Sequence, residues 1–290
     1  MKTILPPLEV EKAVLARYST GAKCCEGSLC CAVDYDPKYL KIVPAEIMER
    51  DYGCGDPVRH VRAGETVLDL GSGGGKVCYI AAQIVGPNGR VIGVDMNEEM
   101  LGLARRHQRE VEERLGYANV EFRKGRIQDL ALDLEEFDRM LAESPMDSSA
   151  DFFEMERKAG KLRRMRPLIA SDSIDVVLSN CVLNLVEPES KAGMFAEIHR
   201  VLKPGGRAVI SDIVSDRDVP AEMQEDATLW TGCISGAYRE DLFLEAFVRA
   251  GLDRPRVLDR TEKPWQVVGG IEFRSVTVEA RKASGSSKKS

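Results

Sequence analysis

The stretch Thr66-Val67-Leu68-Asp69-Leu70-Gly71-Ser72-Gly73-Gly74-Gly75 decides the fold. Its first five residues form a short apolar run that predicts a buried strand, and the glycines let the chain turn sharply after it. A helix is predicted next over Val77–Val85, and a second strand over Arg90–Asp95. Strand, glycine-rich turn, helix and strand in this order are typical of a parallel α/β sheet.

The same alternation continues through most of the chain. A helix is predicted over Glu98–Leu115, because its apolar residues recur at helical spacing. Another helix is predicted over 192–202, and further strands over 120–122, 174–179, 207–211, 255–258 and 273–278. The last two strands lack a convincing helix between them and could form an antiparallel hairpin at the sheet edge. Right-handed crossovers place helices on both faces. We therefore expect an α/β fold with a doubly wound, Rossmann-like sheet of seven strands.

Three segments lie outside this pattern. Residues 1–60 carry two adjacent cysteine pairs and are expected to form an N-terminal segment that covers the site. This segment has little core material, so it should move more readily than the sheet. Residues 131–170 contain helical material where the usual connection has about 2–6 residues. They therefore predict a helical insertion within a domain of residues 61–282. The Ser-, Gly- and Lys-rich tail 283–290 is expected to be disordered.

The composition excludes several classes of protein. The chain has 290 residues, 43% of them hydrophobic, which is enough for a sizeable core. A net charge of −6 argues against a protein that coats nucleic acid. No run of about 18 apolar residues occurs, and prolines and glutamates interrupt the N-terminus, so neither a membrane span nor a signal peptide is expected. We therefore expect a cytoplasmic protein without membrane or nucleic-acid partners. Eight cysteines are too few for a disulfide scaffold.

The glycine loop predicts a nucleotide-type ligand. A dinucleotide fingerprint requires G-x-G-x-x-G/A, and Gly71 and Gly73 fit it, but Lys76 occupies the third position. The form found here, an acidic residue, one spacer and G-x-G-x-G, resembles motif I of class I S-adenosylmethionine methyltransferases. Asp95 ends the second strand, where a carboxylate can accept hydrogen bonds from both ribose hydroxyls. The helix end at 197–206 also resembles the pattern before strand five in that class. A Rossmann-like fold with another ligand is the alternative.

Three cysteines that are distant in sequence are expected at one edge of the sheet. Ligands of an open α/β sheet bind at the carboxyl ends of its strands. Cys181 directly follows the fourth strand, Cys54 precedes the first, and Cys233 lies beyond the fifth. Each alone is explained as a buried cysteine without chemistry. Together, three thiolates suit a soft centre such as trivalent arsenic, which takes three sulfurs in a pyramid and keeps a lone pair. Directed at a sulfonium methyl, that lone pair is a nucleophile that needs no general base, so catalysis would be mainly positioning.

With these cysteines the chain resembles the arsenite S-adenosylmethionine methyltransferases, over roughly residues 44–251. The matching stretches are 52–55, 67–71, 92–96, 179–182 with 184–185, and 232–233 with 236–237. The resemblance implies that Cys54, Cys181 and Cys233 hold the arsenic. It also implies arsenite or a methylated trivalent arsenical as substrate, in arsenic detoxification. Glutathione or thioredoxin is then the expected reductant.

The resemblance also implies a cofactor site for S-adenosylmethionine. Asp95 and Met96 are expected to contact the ribose and the adenine. Ile127 and Gln128 are expected near the adenine, and Asn180 near the methionine end. The full predicted set is Asp69, Gly71, Ser72, Gly73, Asp95, Met96, Ile127, Gln128 and Asn180.

The N-terminal cysteine pairs have two interpretations. Cys24 or Cys25 would match a family cysteine that pairs with the Cys54 equivalent during turnover, and Cys30 and Cys31 form an extra pair. All four are therefore redox candidates. The other interpretation is exposed thiols in a flexible segment. A zinc knuckle is not expected, because adjacent cysteines point apart.

Departures from the family leave the substrate and the number of methyl groups open. The loop reads Gly-Ser-Gly-Gly-Gly-Lys where the family commonly has Gly-Cys-Gly-Thr-Gly, and the insertion is longer than usual. One alternative function is a class I methyltransferase acting on carbon, nitrogen or oxygen of another small molecule. That reaction often needs a base, and no His or Asp after the fourth strand stands out for it. The second alternative is a thiol metalloid-binding protein without turnover, against which the intact Asp69, Gly71, Gly73 and Asp95 set argues.

Overall fold

The computed structural model describes residues 7–24 and 33–284. Its strands are β1 (Thr66–Leu70), β2 (Arg90–Asp95), β3 (Val120–Lys124), β4 (Ile174–Asn180), β5 (Leu202–Ser215), β6 (Tyr238–Arg239), β7 (Leu252–Arg260), β8 (Gln266–Val268) and β9 (Ile271–Lys282). Its helices are α1 (Pro7–Gly21), α2 (Pro37–Leu40), α3 (Ala45–Glu49), α4 (Lys76–Val85), α5 (Glu98–Leu115), α6 (Leu134–Glu143), α7 (Ser149–Met165), α8 (Pro188–Val201), α9 (Ala221–Gln224), α10 (Ala227–Thr231) and α11 (Glu240–Arg249).

The strands of the described residues form one sheet. Seven of them follow the order β3-β2-β1-β4-β5-β9-β7, while the short β6 and β8 pair with β5 and β9. β1 to β5 run parallel, and β9 is antiparallel to both β5 and β7. Because β1 pairs with both β2 and β4, the strand order reverses between β1 and β4. A doubly wound sheet opens a crevice for ligands at such a point. The predicted fold class is confirmed, with two short strands added.

The two late strands, β7 and β9, pair in an antiparallel arrangement as predicted, but β9 also pairs with β5. β9 lies between β5 and β7, so β7 forms the edge of the main path. The structure also contains α11 before β7, which the sequence analysis missed. α11 begins with two acidic residues, Glu240 and Asp241, which is a favourable start because they face the positive end of the helix dipole.

The core lies on both faces of the sheet. In β1, Leu68 and Leu70 pack into one apolar cluster and Val67 packs into the other. Strands covered on both faces are near-continuously apolar, which explains the clarity of the β1 and β4 patterns in the sequence. Two helices, α6 and α7, occupy the insertion, and only Met155 and Ala159 of α7 are buried. None of the helices described is long and apolar enough to cross a bilayer.

The N-terminal segment contributes more to the core than the sequence analysis expected. Tyr35, Val43 and Ile47 are buried in the cluster that contains α4 and α5. The expectation of little core material was therefore wrong for residues 33–60. The tail is described only in part: residues 283–284 have no regular secondary structure, and residues 285–290 lie outside the described part.

α1 lies across the carboxyl edge of the sheet and is held at both sides. The Asn97 side chain, at the start of α5, donates to the Leu15 carbonyl at 3.2 Å and to the Ser19 hydroxyl at 3.1 Å. On the other side, Arg17 donates to the Thr231 hydroxyl at 2.8 Å, at the end of α10. α1 therefore joins the β2 side of the crevice to the segment that precedes Cys233.

Candidate cofactor and thiol site

A cavity that is open to solvent lies at the carboxyl ends of β1, β2 and β4, beneath α1. Every residue of the predicted cofactor set lines this cavity, and so does Cys181: the set is Asp69, Gly71, Ser72, Gly73, Asp95, Met96, Ile127, Gln128 and Asn180. The cavity therefore extends continuously from the glycine loop to one of the three predicted arsenic-binding cysteines.

The glycine loop is shaped by left-handed backbone. Gly71 and Gly73 have φ of +69° and +51°, a region that side chains with Cβ atoms rarely adopt. A Cβ at Gly73 would meet nothing within 4 Å, so this part of the backbone faces open space. The Gly73 amide donates to Asp95 Oδ2 at 2.8 Å, and the Asn97 amide donates to Asp95 Oδ1 at 2.9 Å. These two bonds orient the carboxylate while each oxygen keeps a lone pair for a ligand hydroxyl.

Two buried polar groups at the loop fit a polar ligand. The Ser72 hydroxyl is buried and has no hydrogen-bond partner among the described residues. Asp69 is 2% exposed and accepts a hydrogen bond from the Cys78 thiol at 3.2 Å. No ion pair is found for Asp69 within the described part of the chain, and burial raises the pKa of this carboxyl to about 7. A ligand that brings a cation and hydrogen-bond donors would satisfy both groups.

We expect Asp69→Asn to stabilise the unliganded protein most at alkaline pH. The pKa of Asp69 rises from 3.8 in the unfolded chain to about 7 on folding, so its ionisation opposes folding increasingly as the pH rises through this window. At pH 8 the free energy of unfolding should increase on the order of a few kcal/mol. Urea denaturation at pH 5 and pH 8 measures this. An equal effect at both pH values would contradict the assignment.

The three predicted cysteines lie together. The sulfurs of Cys54 and Cys181 lie within 4.8 Å of each other and of a carboxylate oxygen of Asp212. The Cys233 thiol donates to the Cys181 carbonyl at 3.3 Å. Burial raises the pKa of Cys54, and hydrogen bonds with the Cys233 and Cys54 thiols raise the pKa of Cys181. Both groups are therefore thiols rather than thiolates before a ligand arrives.

Two of these cysteines sit on strained backbone. Cys181 and Cys233 both have φ of +62°. Such conformations cost about 1–3 kcal/mol each and persist where the surroundings fix them, often at functional sites. Here the Cys181 amide donates to the Ser211 carbonyl at 2.8 Å, while the Asn184 side chain donates to the Cys233 carbonyl at 3.3 Å. These hydrogen bonds thus fix the backbone of both cysteines.

Asn180 holds the Cys54 loop. Its Oδ1 accepts hydrogen bonds from the amides of Cys54 at 2.9 Å and Gly55 at 3.1 Å, and its Nδ2 donates to the Tyr35 hydroxyl at 2.9 Å and the Gly55 carbonyl at 2.8 Å. A Cβ at Gly53 would lie 2.5 Å from Asn180 Nδ2, which explains the glycine there. Asn180 was predicted as a cofactor residue. It lines the cavity, but its amide is committed to positioning Cys54.

We expect Asn180→Ala to destabilise the protein by about 1–3 kcal/mol, because it leaves the Cys54 and Gly55 amides without their acceptor. The free energy of unfolding by urea measures this loss. The matched control is Asn88→Ala, at an exposed position in the turn after α4. Equal stability of the two variants would contradict the positioning role.

The sequence analysis missed Asp212 and two residues of α1, Tyr18 and Glu11. Asp212 is 1% exposed in the middle of β5, and burial raises its pKa to about 6. The sequence signal that could have identified Asp212 is a carboxylate inside the mostly apolar run 209–214. On α1, Tyr18 lines the cavity and packs edge-on against Tyr52 with ring centroids 6.0 Å apart, and burial together with the nearby Cys233 raises its pKa. Glu11 accepts a hydrogen bond from Gln128 at 2.9 Å. No local pattern marks these two residues.

The redox candidates are only partly described. Cys24 is exposed at the end of α1, and its carbonyl accepts a hydrogen bond from the Tyr52 hydroxyl at 3.4 Å. Tyr52 lies two residues before Cys54, so the end of α1 adjoins the Cys54 loop. Cys25, Cys30 and Cys31 lie outside the described residues.

Comparisons with known proteins agree with this geometry. A family model described as a methyltransferase domain matches residues 62–166 and 151–251. The arsenite methyltransferase of Aquipseudomonas alcaligenes is 37% identical over 236 residues, which cover 80% of this chain and 58% of that protein. The arsenite methyltransferase of Halobacterium salinarum is 36% identical over 239 residues, which cover 79% of this chain and 50% of that protein. The chain thus spans about half the length of these curated relatives.

A solved structure extends the likeness to the fold. An arsenic(III) S-adenosylmethionine methyltransferase from Chlamydomonas reinhardtii superposes with a TM-score of 0.67 and 31% identity, over 86% of this chain and 74% of that one. The sequence and the fold of this chain are therefore both similar to those of arsenic methyltransferases. The chain belongs to the family of S-adenosylmethionine-dependent arsenite methyltransferases, within the class I methyltransferases.

Proposed function

We propose that this protein transfers the methyl group of S-adenosylmethionine to trivalent arsenic held by the thiolates of Cys54, Cys181 and Cys233. The observation that carries this proposal is the cavity that runs from the glycine loop to Cys181, whose sulfur adjoins that of Cys54. The relatives named as arsenite methyltransferases support the same reaction. Its biological role would be arsenic detoxification.

The charges of the cavity suit this cofactor. S-adenosylmethionine has a sulfonium and an ammonium cation but one carboxylate, so it carries a net positive charge. Asp69 and Asp95 both line the cavity, whereas the nearby Asp51 is paired with Lys76 at 2.7 Å. We assign the ribose hydroxyls to Asp95 and the ammonium group to Asp69, because a buried carboxylate gains most from a cation. When bound, the cofactor supplies an electrophilic methyl group on its sulfonium.

The thiol state of the cysteines suits arsenite as it occurs in water. Arsenous acid is neutral and carries three hydroxyl groups. Each As–S bond forms as one thiol proton leaves with one hydroxyl as water, so three bonds release three waters. The raised pKa values of Cys54 and Cys181 are compatible with this exchange, because the protons depart in the product water. Soft sulfur is the ligand that a thiophilic centre prefers.

Methyl transfer and reduction complete the cycle. The arsenic lone pair forms the As–C bond, and the pair of the breaking C–S bond stays with the departing sulfur. Arsenic is thereby formally oxidised from the trivalent to the pentavalent state. Two thiolates return two electrons to it and leave as one disulfide, which an external thiol such as glutathione or thioredoxin then reduces.

The N-terminal cysteines are proposed to supply thiols to this reduction. The position of Cys24 beside Tyr52 supports the idea. A variant with Cys24, Cys25, Cys30 and Cys31 all changed to serine should still bind cofactor and arsenite. We expect its turnover to slow, or its preference between thioredoxin and glutathione to change. Steady-state rates with each reductant measure this, and values equal to those of the unmodified protein would contradict the relay.

The direct test uses methyl-labelled S-adenosylmethionine, arsenite and reduced glutathione. Labelled methylarsenicals should form, and their formation should require arsenite. Arsenite binding without any labelled product would indicate a metalloid-binding protein. Label transfer to a carbon, nitrogen or oxygen acceptor by a variant that lacks Cys54, Cys181 and Cys233 would indicate the other class of methyltransferase.

A further inference from the structure

A compact set of two thiols and one carboxylate lies beside the cofactor cavity. The Cys54 and Cys181 sulfurs and an Asp212 carboxylate oxygen all lie within 4.8 Å of one another. Trivalent arsenic uses sulfur ligands, so the proposed reaction assigns Asp212 no bond to the substrate. Asp212 is nonetheless 1% exposed, and a buried carboxylate needs hydrogen bonds and opposite charge to compensate for its lost hydration.

The carboxylate of Asp212 is oriented toward a defined position by the backbone. One of its oxygens accepts a hydrogen bond from the Leu183 amide at 2.9 Å, and the other accepts one from the Ile213 amide at 2.8 Å. Each oxygen keeps a further lone pair. Hydrogen bonds of this kind are the outer-shell contacts that hold metal-binding carboxylates in place.

We propose that Cys54, Cys181 and Asp212 form a binding site for a borderline-soft divalent cation, Zn²⁺ or Cd²⁺, which competes with arsenite. Zn²⁺ accepts both sulfur and carboxylate oxygen, at about 2.3 Å and 2.0–2.2 Å. A tetrahedral centre with these bond lengths places two sulfurs about 3.8 Å apart. Small side-chain rotations bring the observed group to that spacing. Each thiol gives up its proton to solvent when its bond to the metal forms, and water or Cys233 fills the fourth position.

The surrounding charges balance such a centre. Two thiolates and one carboxylate carry three negative charges against two on the cation, which leaves one negative charge. The Lys191 ammonium, which is 6% exposed on α8, attracts the Asp212 carboxylate and supplies the opposite charge. This ammonium donates to the Gly236 carbonyl and lies 4.4 Å from the centre of the Tyr238 ring, so its position is fixed. Tyr18, from α1, faces the site with a hydroxyl near Cys233.

Arsenic and the divalent cation therefore use overlapping but different ligands. Arsenic requires the third sulfur of Cys233 and no carboxylate, whereas the cation requires Asp212 and can replace Cys233 by water. Asp212→Asn should weaken cation binding and leave arsenite binding intact. Cys233→Ser should do the reverse. This difference separates the metal site from the proposed function, although the two share Cys54 and Cys181.

The experiment titrates the reduced full-length protein with Co²⁺ in the absence of oxygen. Thiolate-to-cobalt charge-transfer absorption and intense d–d bands should appear at one Co²⁺ per chain, and both Zn²⁺ and arsenite should abolish them. Asp212→Asn should weaken Co²⁺ binding by at least about 10- to 100-fold. Loss of an outer-shell partner already weakens metal binding by this factor, and Asp212 is a direct ligand in the proposed site. The matched control is Asp253→Asn, at an exposed position on β7. Bound arsenite per chain, counted by elemental mass spectrometry after desalting, should be unchanged in both aspartate variants.

Different results of this experiment overturn the metal site and the proposed function. Absence of thiolate-to-cobalt absorption in the unmodified protein, which requires no variant to fold, would overturn the metal site. Unchanged Co²⁺ affinity in Asp212→Asn would do the same. Thiolate-bound Co²⁺ in a protein that neither binds nor methylates arsenite would support the metal site and overturn the proposed function instead.

Discussion

Replacing Cys181 by serine is expected to abolish both arsenite binding and methylation, and Cys233→Ser should have the same result. A serine hydroxyl is a hard ligand that stays protonated, so it cannot replace a sulfur on a soft centre. Cys181 is also the cysteine that lines the cofactor cavity, where the methyl group would arrive. The measurements are arsenite bound per chain and methylarsenicals formed per hour. Loss of Cys54 should be milder if later steps use only two protein thiolates.

The control for these variants is Cys24→Ser, because Cys24 is exposed and lies outside the group of Cys54, Cys181 and Asp212. It should bind arsenite like the unmodified protein. S-adenosylmethionine affinity should survive in all of these variants, which shows that the fold is intact. Full arsenite turnover by Cys181→Ser would refute the assignment of this cysteine.

Asp95→Ala is expected to weaken S-adenosylmethionine binding by about 1.5–3 kcal/mol, or about 10- to 150-fold in Kd. The reason is the loss of two charge-assisted hydrogen bonds to the ribose. The backbone amides of Gly73 and Asn97 also lose their acceptor, so the loop that faces the cavity loses its support. Titration calorimetry measures the affinity.

Asp95→Asn separates these two causes. It keeps an oxygen for one of the backbone amides but removes the charge, so we expect an affinity between those of the alanine variant and the unmodified protein. Asp253→Ala, at an exposed position on β7, provides the matched control. Unchanged affinity in a folded Asp95→Ala protein would refute the ribose assignment.

The fold could be predicted because its signals are local. The run from Thr66 to Gly75 contains a strand, its end and a left-handed turn, and β1, α4 and β2 follow in that order. Parallel strands share one carboxyl edge, so Asp69, Asp95 and Cys181 could be placed together because each lies at or near the carboxyl end of a strand. The short α2 was missed, because four residues carry too little periodicity to identify a helix.

Cys54 and Cys233 were expected near Cys181 from their places in connections at the sheet edge, and the resemblance to a known family assigned all three to arsenic. Their predicted neighbourhood agrees with the structure, where the Cys54 sulfur lies within 4.8 Å of that of Cys181 and the Cys233 thiol reaches the Cys181 carbonyl. The N-terminal segment was predicted to be mobile because its sequence was expected to contribute few residues to the core. Tyr35 and Ile47 are too widely spaced in sequence to indicate a shared cluster, yet both are buried in it.

The sequence by itself determined the doubly wound sheet, the glycine loop and the carboxylate of Asp95, because each depends on residues that are neighbours along the chain. Only the tertiary structure decided that Asn180 holds the Cys54 loop, that Glu11 and Tyr18 of α1 line the cavity and that Asp212 lies beside two thiols. These contacts join residues far apart in sequence: Asn180 and Cys54 are separated by 126 positions. Such a contact depends on how whole elements pack, and a hydrogen bond between two elements leaves no periodic pattern in either of them.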